Sequence, residues 1–393
     1  MQIVSSYVFA LIICLLNFSS VLAQDSVHKF QFEGTASCSS SNCHGSVKPR
    51  DSTSVLQNEF FTWYKNDSHS QAYKTLLNAD SKKIAANLGI QSAENDKLCL
   101  SCHATYVDSK DRAEKFSLED GVSCESCHGA ASGWLKSHVA KDATYENLIK
   151  QGMKDINSAS AQAKLCASCH FESVDNNFGH DLYGAGHPRI SLELDTYLSV
   201  MPRHWHFTDK YIKRNGNYSA TKTWLQGQLE LASRLDEKLK SEKFEHDFSN
   251  YYCFSCHHPL EKKEFRTKNY QGKPGRLRVN ETHFAVLSAV FDQPTDLIRQ
   301  NLSGLKYKIE TLNLSKSNLE SLLSKLLNTI VTDERVYEYQ YAEQLVMGIS
   351  AVVTEIDPTG KLYQKKVAPL YKVIKQPGTF DGAALKKTAK QLI

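Results

Sequence analysis

The sequence predicts a mainly α protein, and three observations predict it. Apolar residues recur at intervals of three and four over several stretches. No run alternates apolar and polar residues as a half-buried strand would. Every cysteine but one falls in five short blocks, each a cysteine pair followed at once by histidine. Blocks of that kind tie the chain to bound groups, so short helices and turns are expected around them, with a longer-helix region after the last block.

Taken in order, residues 1–23 stand apart. Tyr7 to Leu16 is an unbroken apolar run, followed by Ser19-Ser-Val-Leu-Ala23 with small residues where a signal peptidase reads. Cleavage is expected after Ala23. No Lys or Arg precedes the run, which departs from the usual pattern. The run is shorter than the roughly 20 apolar residues that span a bilayer. Cys14 has no small residue before it, so a lipid anchor is not expected. The chain is therefore read as periplasmic or secreted, with no membrane span.

The blocks are Cys38-Ser-Ser-Ser-Asn-Cys43-His44, Cys99-Leu-Ser-Cys102-His103, Cys124-Glu-Ser-Cys127-His128, Cys166-Ala-Ser-Cys169-His170 and Cys253-Phe-Ser-Cys256-His257. Cys-x-x-Cys-His is the attachment signature of c-type haem. The two thiols add across the porphyrin vinyl groups, and the adjoining His becomes the proximal iron ligand. Five covalently attached haem c groups are expected. Zinc usually takes two separated Cys pairs; here each pair is followed by a His that cannot easily join the same tetrahedron. The wider spacer of the first block is read as the same motif. With Cys14 gone, the ten remaining of 11 cysteines fill the five blocks and leave none for a disulfide. Export and covalent haem attachment support each other, since attachment in bacteria happens outside the cytoplasmic membrane.

After the fourth block, Lys222 to Lys240 carries Leu225, Leu229, Ala232, Leu235 and Leu239 at helical spacing. Leu302, Leu305, Ile309 and Leu312 continue the theme. A helix is expected from near Asn318, with Ser317 and Glu320 as a capping box, and another over 334–355, ending before Pro358-Thr-Gly360. The resulting division is a signal peptide at 1–23, a pentahaem region at 24–265, a helical region at 280–357 and a loose basic tail at 358–393. Gln271-Gly-Lys-Pro-Gly275 is the expected linker. In the tail, Lys361, Lys365, Lys366, Lys372, Lys375, Lys386, Lys387 and Lys390 face one acid, Asp381. That bias reads as a solvated surface, or as a docking patch for an acidic redox partner or a membrane surface.

Composition narrows the functions. With 41% hydrophobic and 23% charged residues, the chain has a soluble globular balance. Haem propionates offset much of the formal charge of +4. No basic stripe with interleaved aromatics is present, so no nucleic-acid partner is expected.

Each iron also needs, or leaves vacant, a sixth ligand. Of 15 histidines, ten lie outside the block positions. His69, His138 and His187 are the preferred distal ligands: His69 on a helix between blocks one and two, His138 after Trp134, His187 in Gly184-Ala-Gly-His-Pro188. His258, directly after His257, is expected to reach a neighbouring iron. His204 and His206 either ligate or bond propionates. His28, His180, His246 and His283 are read as surface, core or propionate partners.

Cys38 to Gly45, Trp63…Asp67-Ser-His69…Ala72-Tyr73, Gly121-Val-Ser-Cys124-Glu-Ser-Cys127-His128-Gly129, Gly184-Ala-Gly-His187-Pro188 and Cys256-His257-His258-Pro-Leu260 together resemble the cytochrome c554 family of multihaem cytochromes, over roughly residues 35–260. The resemblance implies a mainly helical, exported electron-transfer protein with haems in stacked pairs. It implies His138 as partner of the first haem, His69 of the third and His187 of the fourth. Four-haem members can leave one iron without a strong sixth ligand, by position the one on Cys99, Cys102 and His103. The fifth block and the long C-terminal extension depart from the family pattern.

Two function classes follow. The first is a relay passing electrons between redox proteins, donor and acceptor unnamed, alone or as a subunit of a larger complex. The second is a multihaem oxidoreductase acting on a small nitrogen or sulfur compound at one open iron. No block carries Lys in place of the proximal His, and Arg189, Arg203, His204 and His206 could line a pocket.

Overall fold

A computed structural model describes residues 30–50, 55–172, 178–241, 247–253, 256–257 and 277–393. The expected leader, His28, His246, His258 and the linker at 271–275 lie outside the described residues. The chain is mainly α. Among the described residues the β pairing consists of two isolated bridges, Phe32 with Arg112 and Tyr251 with Val279. No described helix is long and apolar enough to cross a membrane.

The first part is built of short helices: α1 (Glu59–Asn66), α2 (Ala79–Asn87), α3 (Lys97–His103), α4 (Cys124–His128) and α5 (Ala159–His170). Blocks two, three and four close α3, α4 and α5, so in each the histidine is the last helical residue. Caps fix where these helices begin. The Asp96 carboxylate accepts from Leu98 N at 2.8 Å, and Ser158 Oγ accepts from Ala161 N at 3.1 Å, each satisfying an orphan amide. α4 ends at Gly129, whose φ of 87° suits glycine. Among the described residues the side-chain core of this part is three small clusters, around Leu76, Ala85 and Leu100, around Phe32, Val107 and Ala130, and around Ala167 with Leu192 and Leu231.

α6 (His180–Ala185) and α7 (Leu194–Val200) lead into a helical bundle. Its members are α8 (Ala220–Leu239), α9 (Thr282–Phe291), α10 (Leu302–Glu310), α11 (Lys316–Thr332), α12 (Tyr339–Ile356), α13 (Ala368–Ile374) and α14 (Gly382–Lys390). One continuous core joins them, with Trp224, Phe284, Leu326, Tyr341 and Ile349 fully buried. α8 therefore packs in the same core as the helices after residue 280. Along α12, Leu345, Ile349, Val352 and Val353 keep the 3.6-residue period that turns one face inward.

Two details differ from the sequence reading. α11 starts two residues earlier, capped by Ser315, which accepts from Asn318 N at 3.3 Å; Ser317 and Glu320 lie within the helix and form no capping box. The stretch 358–393 is not a loose tail. Residues Lys361–Lys366, α13 and α14 are helical, and Leu370, Ile374, Leu385 and Ala389 bury against the bundle. Its lysines lie on the outside of a packed structure; Lys386 pairs with Glu334 at 2.7 Å.

Candidate haem sites

Block one is held by a turn. Cys43 N and Gly45 N both donate to Ser40 O at 2.9 Å, and His44 N donates to Cys38 O at 3.1 Å, which folds the longer spacer back. A Cβ on Gly45 would stand 1.8 Å from Ser39 O, so glycine is required there. Block three is anchored through a residue between its cysteines. The Glu125 carboxylate is buried and accepts from Glu33 N at 2.8 Å, Gly34 N at 2.7 Å and Ala131 N at 2.8 Å. In block five, Cys256 N and His257 N turn back onto Cys253 O at 3.2 and 2.8 Å. The ten described cysteines form no disulfide. Among the described residues no three His, Cys, Asp or Glu side chains converge as a metal-ion site.

Each block histidine faces one other histidine ring. The ring centres are 6.2 Å apart for His44 and His138, 6.3 Å for His103 and His187, 6.3 Å for His128 and His204, 6.1 Å for His170 and His69, and 6.3 Å for His257 and His180. A metal–imidazole bond of about 2.0–2.1 Å on each side, with each ring centre roughly 1.1 Å beyond its nitrogen, gives a separation of roughly 6.3 Å for two imidazoles on one metal.

In five of these ten rings the other nitrogen has a hydrogen-bond partner. Nδ1 of His44 lies 3.0 Å from Glu59 Oε2, and Nδ1 of His69 lies 2.9 Å from Asp67 Oδ1. His103, His138 and His187 place Nδ1 against the backbone carbonyls of Ala72 (3.0 Å), Leu135 (2.7 Å) and Pro188 (2.7 Å). A donated Nδ1–H fixes the ring and leaves Nε2 free for a metal.

Burial shapes the charges. It pushes His128 and His170 down to about 4, so both rings are neutral at ordinary pH. His44 and His69 go the other way, raised chiefly by the hydrogen bonds to Glu59 and Asp67. A ligating imidazole must be neutral at the bonding nitrogen, and a carboxylate on the far nitrogen makes it a stronger donor.

Residues 37–129 match the family described as cytochrome c554 and c-prime. This segment belongs to the cytochrome c554 family. No curated protein and no solved structure matches the chain. The protein is thus a c-type cytochrome, a carrier of covalently bound haem in electron transfer. The match spans the first three blocks and stops short of blocks four and five.

Within this cytochrome the histidine pairs differ from those the resemblance implied. His138 does lie against the first block. His69 faces His170 of block four, not block three, and His187 faces His103 of block two, not block four. Block two, by position the one with a weak sixth ligand, has a histidine ring beside it. Two residues outside the preferred set stand in facing positions. His204 lies against His128, and His180, read as a surface, core or propionate residue, lies against His257. His206 is exposed. His283 is partly buried in the bundle, where its Nδ1 meets Gln228 Oε1 at 2.8 Å. Arg189 is taken by a carboxylate, Glu343, at 2.7 Å, and Arg203 lies over the ring of Phe207 at 4.7 Å.

Proposed function

We propose that this cytochrome is an exported relay that binds five haems and closes each iron between two histidines. The reading is carried by one observation: all five block histidines have a second histidine ring at 6.1 to 6.3 Å. Cys38/Cys43, Cys99/Cys102, Cys124/Cys127, Cys166/Cys169 and Cys253/Cys256 would hold the porphyrins. The axial pairs would be His44/His138, His103/His187, His128/His204, His170/His69 and His257/His180. When bound, each haem supplies a one-electron carrier whose iron changes charge without exchanging ligands.

The residues favour that use. Nδ1 contacts to Glu59, Asp67, Ala72, Leu135 and Pro188 hold rings in place, which limits reorganisation when charge moves. Burial keeps His128 and His170 neutral, as ligands must be. An enzyme would need a vacant iron, and the ring of His187 beside His103 speaks against one at block two. Export is supported by the leader pattern and by the use of all ten remaining cysteines in blocks. Partners are expected to be redox proteins that bind briefly through modest surfaces.

Mass spectrometry of the purified exported protein tests the cofactor count, and optical spectra with carbon monoxide and cyanide test the ligation. Five porphyrin adducts per chain and spectra unchanged by either ligand are expected. Fewer adducts, or one iron that binds carbon monoxide and turns over nitrite or hydroxylamine, would overturn the relay.

A further inference from the structure

Block five lies outside the family match, and the structure gives its neighbourhood. α6 begins at His180, and a left-handed turn at Gly186, φ 111°, ends it. His187 N donates back to Leu182 O at 3.0 Å, which closes that turn and fixes His187 just beyond the helix. His180 and His187 therefore stand at opposite ends of one short rigid segment, about 10 Å apart at about 1.5 Å per residue. One faces block five and the other faces block two.

Asp247 locks this segment to the approach of block five. Its Oδ1 accepts from His180 N at 3.0 Å and from Ser249 N at 3.0 Å, and Ser249 Oγ donates to Oδ2 at 2.7 Å. The turn Phe248–Asn250 so fixed leads directly into Cys253. Phe248 packs edge-on against the His180 ring at 5.8 Å, and Phe178 against the His187 ring at 4.9 Å.

The other blocks touch in a definite sequence. Glu125 of block three accepts from Glu33 N and Gly34 N at 2.8 and 2.7 Å, just ahead of Cys38, joining blocks one and three. Val122 N, two residues ahead of Cys124, donates at 3.0 Å to the carbonyl of His69, whose ring faces His170, joining three and four. Cys169 Sγ lies 3.8 Å from Ser101 O, joining four and two. The segment 67–75 reinforces that join: it carries His69 for block four and supplies Ala72 O and Thr75 Oγ1 to Nδ1 of His103 in block two, both at 3.0 Å.

We propose that α6 and its C-terminal turn carry axial ligands for two adjacent cofactors, His187 for block two and His180 for block five, which sets the five sites in the spatial order one, three, four, two, five. This rests on the five-haem reading above. The family-like cluster thus gains its extra site at the block-two end, and blocks one and five form the two ends of the row.

The test uses the full-length, haem-loaded protein and charge coupling between neighbours. His187→Ala opens the block-two iron to carbon monoxide, and His138→Ala opens the block-one iron, so each midpoint potential can be followed through its own carbon monoxide band. Into each background two further changes are made: Cys253→Ala with Cys256→Ala, which removes the fifth cofactor, and His180→Met, which keeps it but raises its potential, so that its iron is already reduced while the block-two iron titrates. Both are expected to shift the midpoint of the block-two iron and leave that of the block-one iron in place. The His180→Met arm keeps the test valid where loss of a haem disturbs folding. A shift at block one as large as that at block two, or none at block two, would overturn the order. Fewer than five adducts on the unmodified protein would instead sink the relay reading, so the two failures are separable by mass.

Discussion

At the scale of single residues, what stands behind each histidine sets the iron it would serve. His44 and His69 are backed by carboxylates, His103, His138 and His187 by neutral backbone carbonyls. Negative charge on the far side of an imidazole strengthens its donation and favours ferric iron. Glu59→Gln is therefore expected to raise the potential of one haem of the five. A change of about 1 kcal/mol corresponds to on the order of 40 mV for one electron, measurable by redox titration followed optically; an unchanged set of potentials would remove Glu59 from the account. His283 acts in the bundle instead. Burial pushes it down to about 3 from 6.5. Below pH 6.5 the unfolded chain takes up a proton that the folded one refuses, so stability falls as pH drops from 6.5 toward 3 and is indifferent to this residue above 6.5. Between pH 7 and pH 5 the loss is expected to be about 2 kcal/mol. Urea unfolding of His283→Gln should show that much less acid sensitivity than the parent, and identical slopes would contradict it.

At the scale of elements, the proposed proximal positions can be named from sequence because cysteine pair and histidine are neighbours in the chain and the covalent chemistry is local. The distal partners cannot. Whether His69 meets block three or block four depends on how residues 67–75 pack, and nothing in that segment's pattern records it. His180 was hidden for the same reason, since Asp247, 67 residues away, holds it in place. The mainly α fold and the stripes of α8, α10 and α12 could be read from spacing alone. The C-terminal helices carry the same spacing, since Leu370 and Ile374, and Leu385 and Ala389, are four apart and buried, but the many lysines between them mask it. Within the bundle, Gly348 of α12 lies against the ring of Trp224, where an added Cβ would stand 2.2 Å from Cζ2. Alanine gains roughly 1 kcal/mol in helix propensity, yet the fully buried Trp224 has no room to yield. Gly348→Ala is expected to lose about 1–3 kcal/mol overall, read as a lower urea midpoint; a more stable variant would show that the contact is slack.

At the scale of the whole molecule, the site-bearing part packs on the bundle through α5 against α8, where Ala167 and Leu231 are buried together, and two polar links add to that contact. Arg189, two residues after His187, forms a two-pronged pair with Glu343 of α12 at 2.7 and 2.8 Å. A polar chain runs from His283 through Gln228 and Gln344 to the carbonyl of Leu192, with distances of 2.8, 2.6 and 3.4 Å. Both links reach the segment that follows His187, so the bundle steadies the end of the row at blocks two and five. The whole account depends on five irons each closed by two histidines. Low-temperature electron paramagnetic resonance of the fully oxidised protein, integrated against its chain concentration, tests this most directly. Five low-spin ferric irons per chain with no high-spin signal is the predicted result; a high-spin iron, or an integral below five, would contradict it.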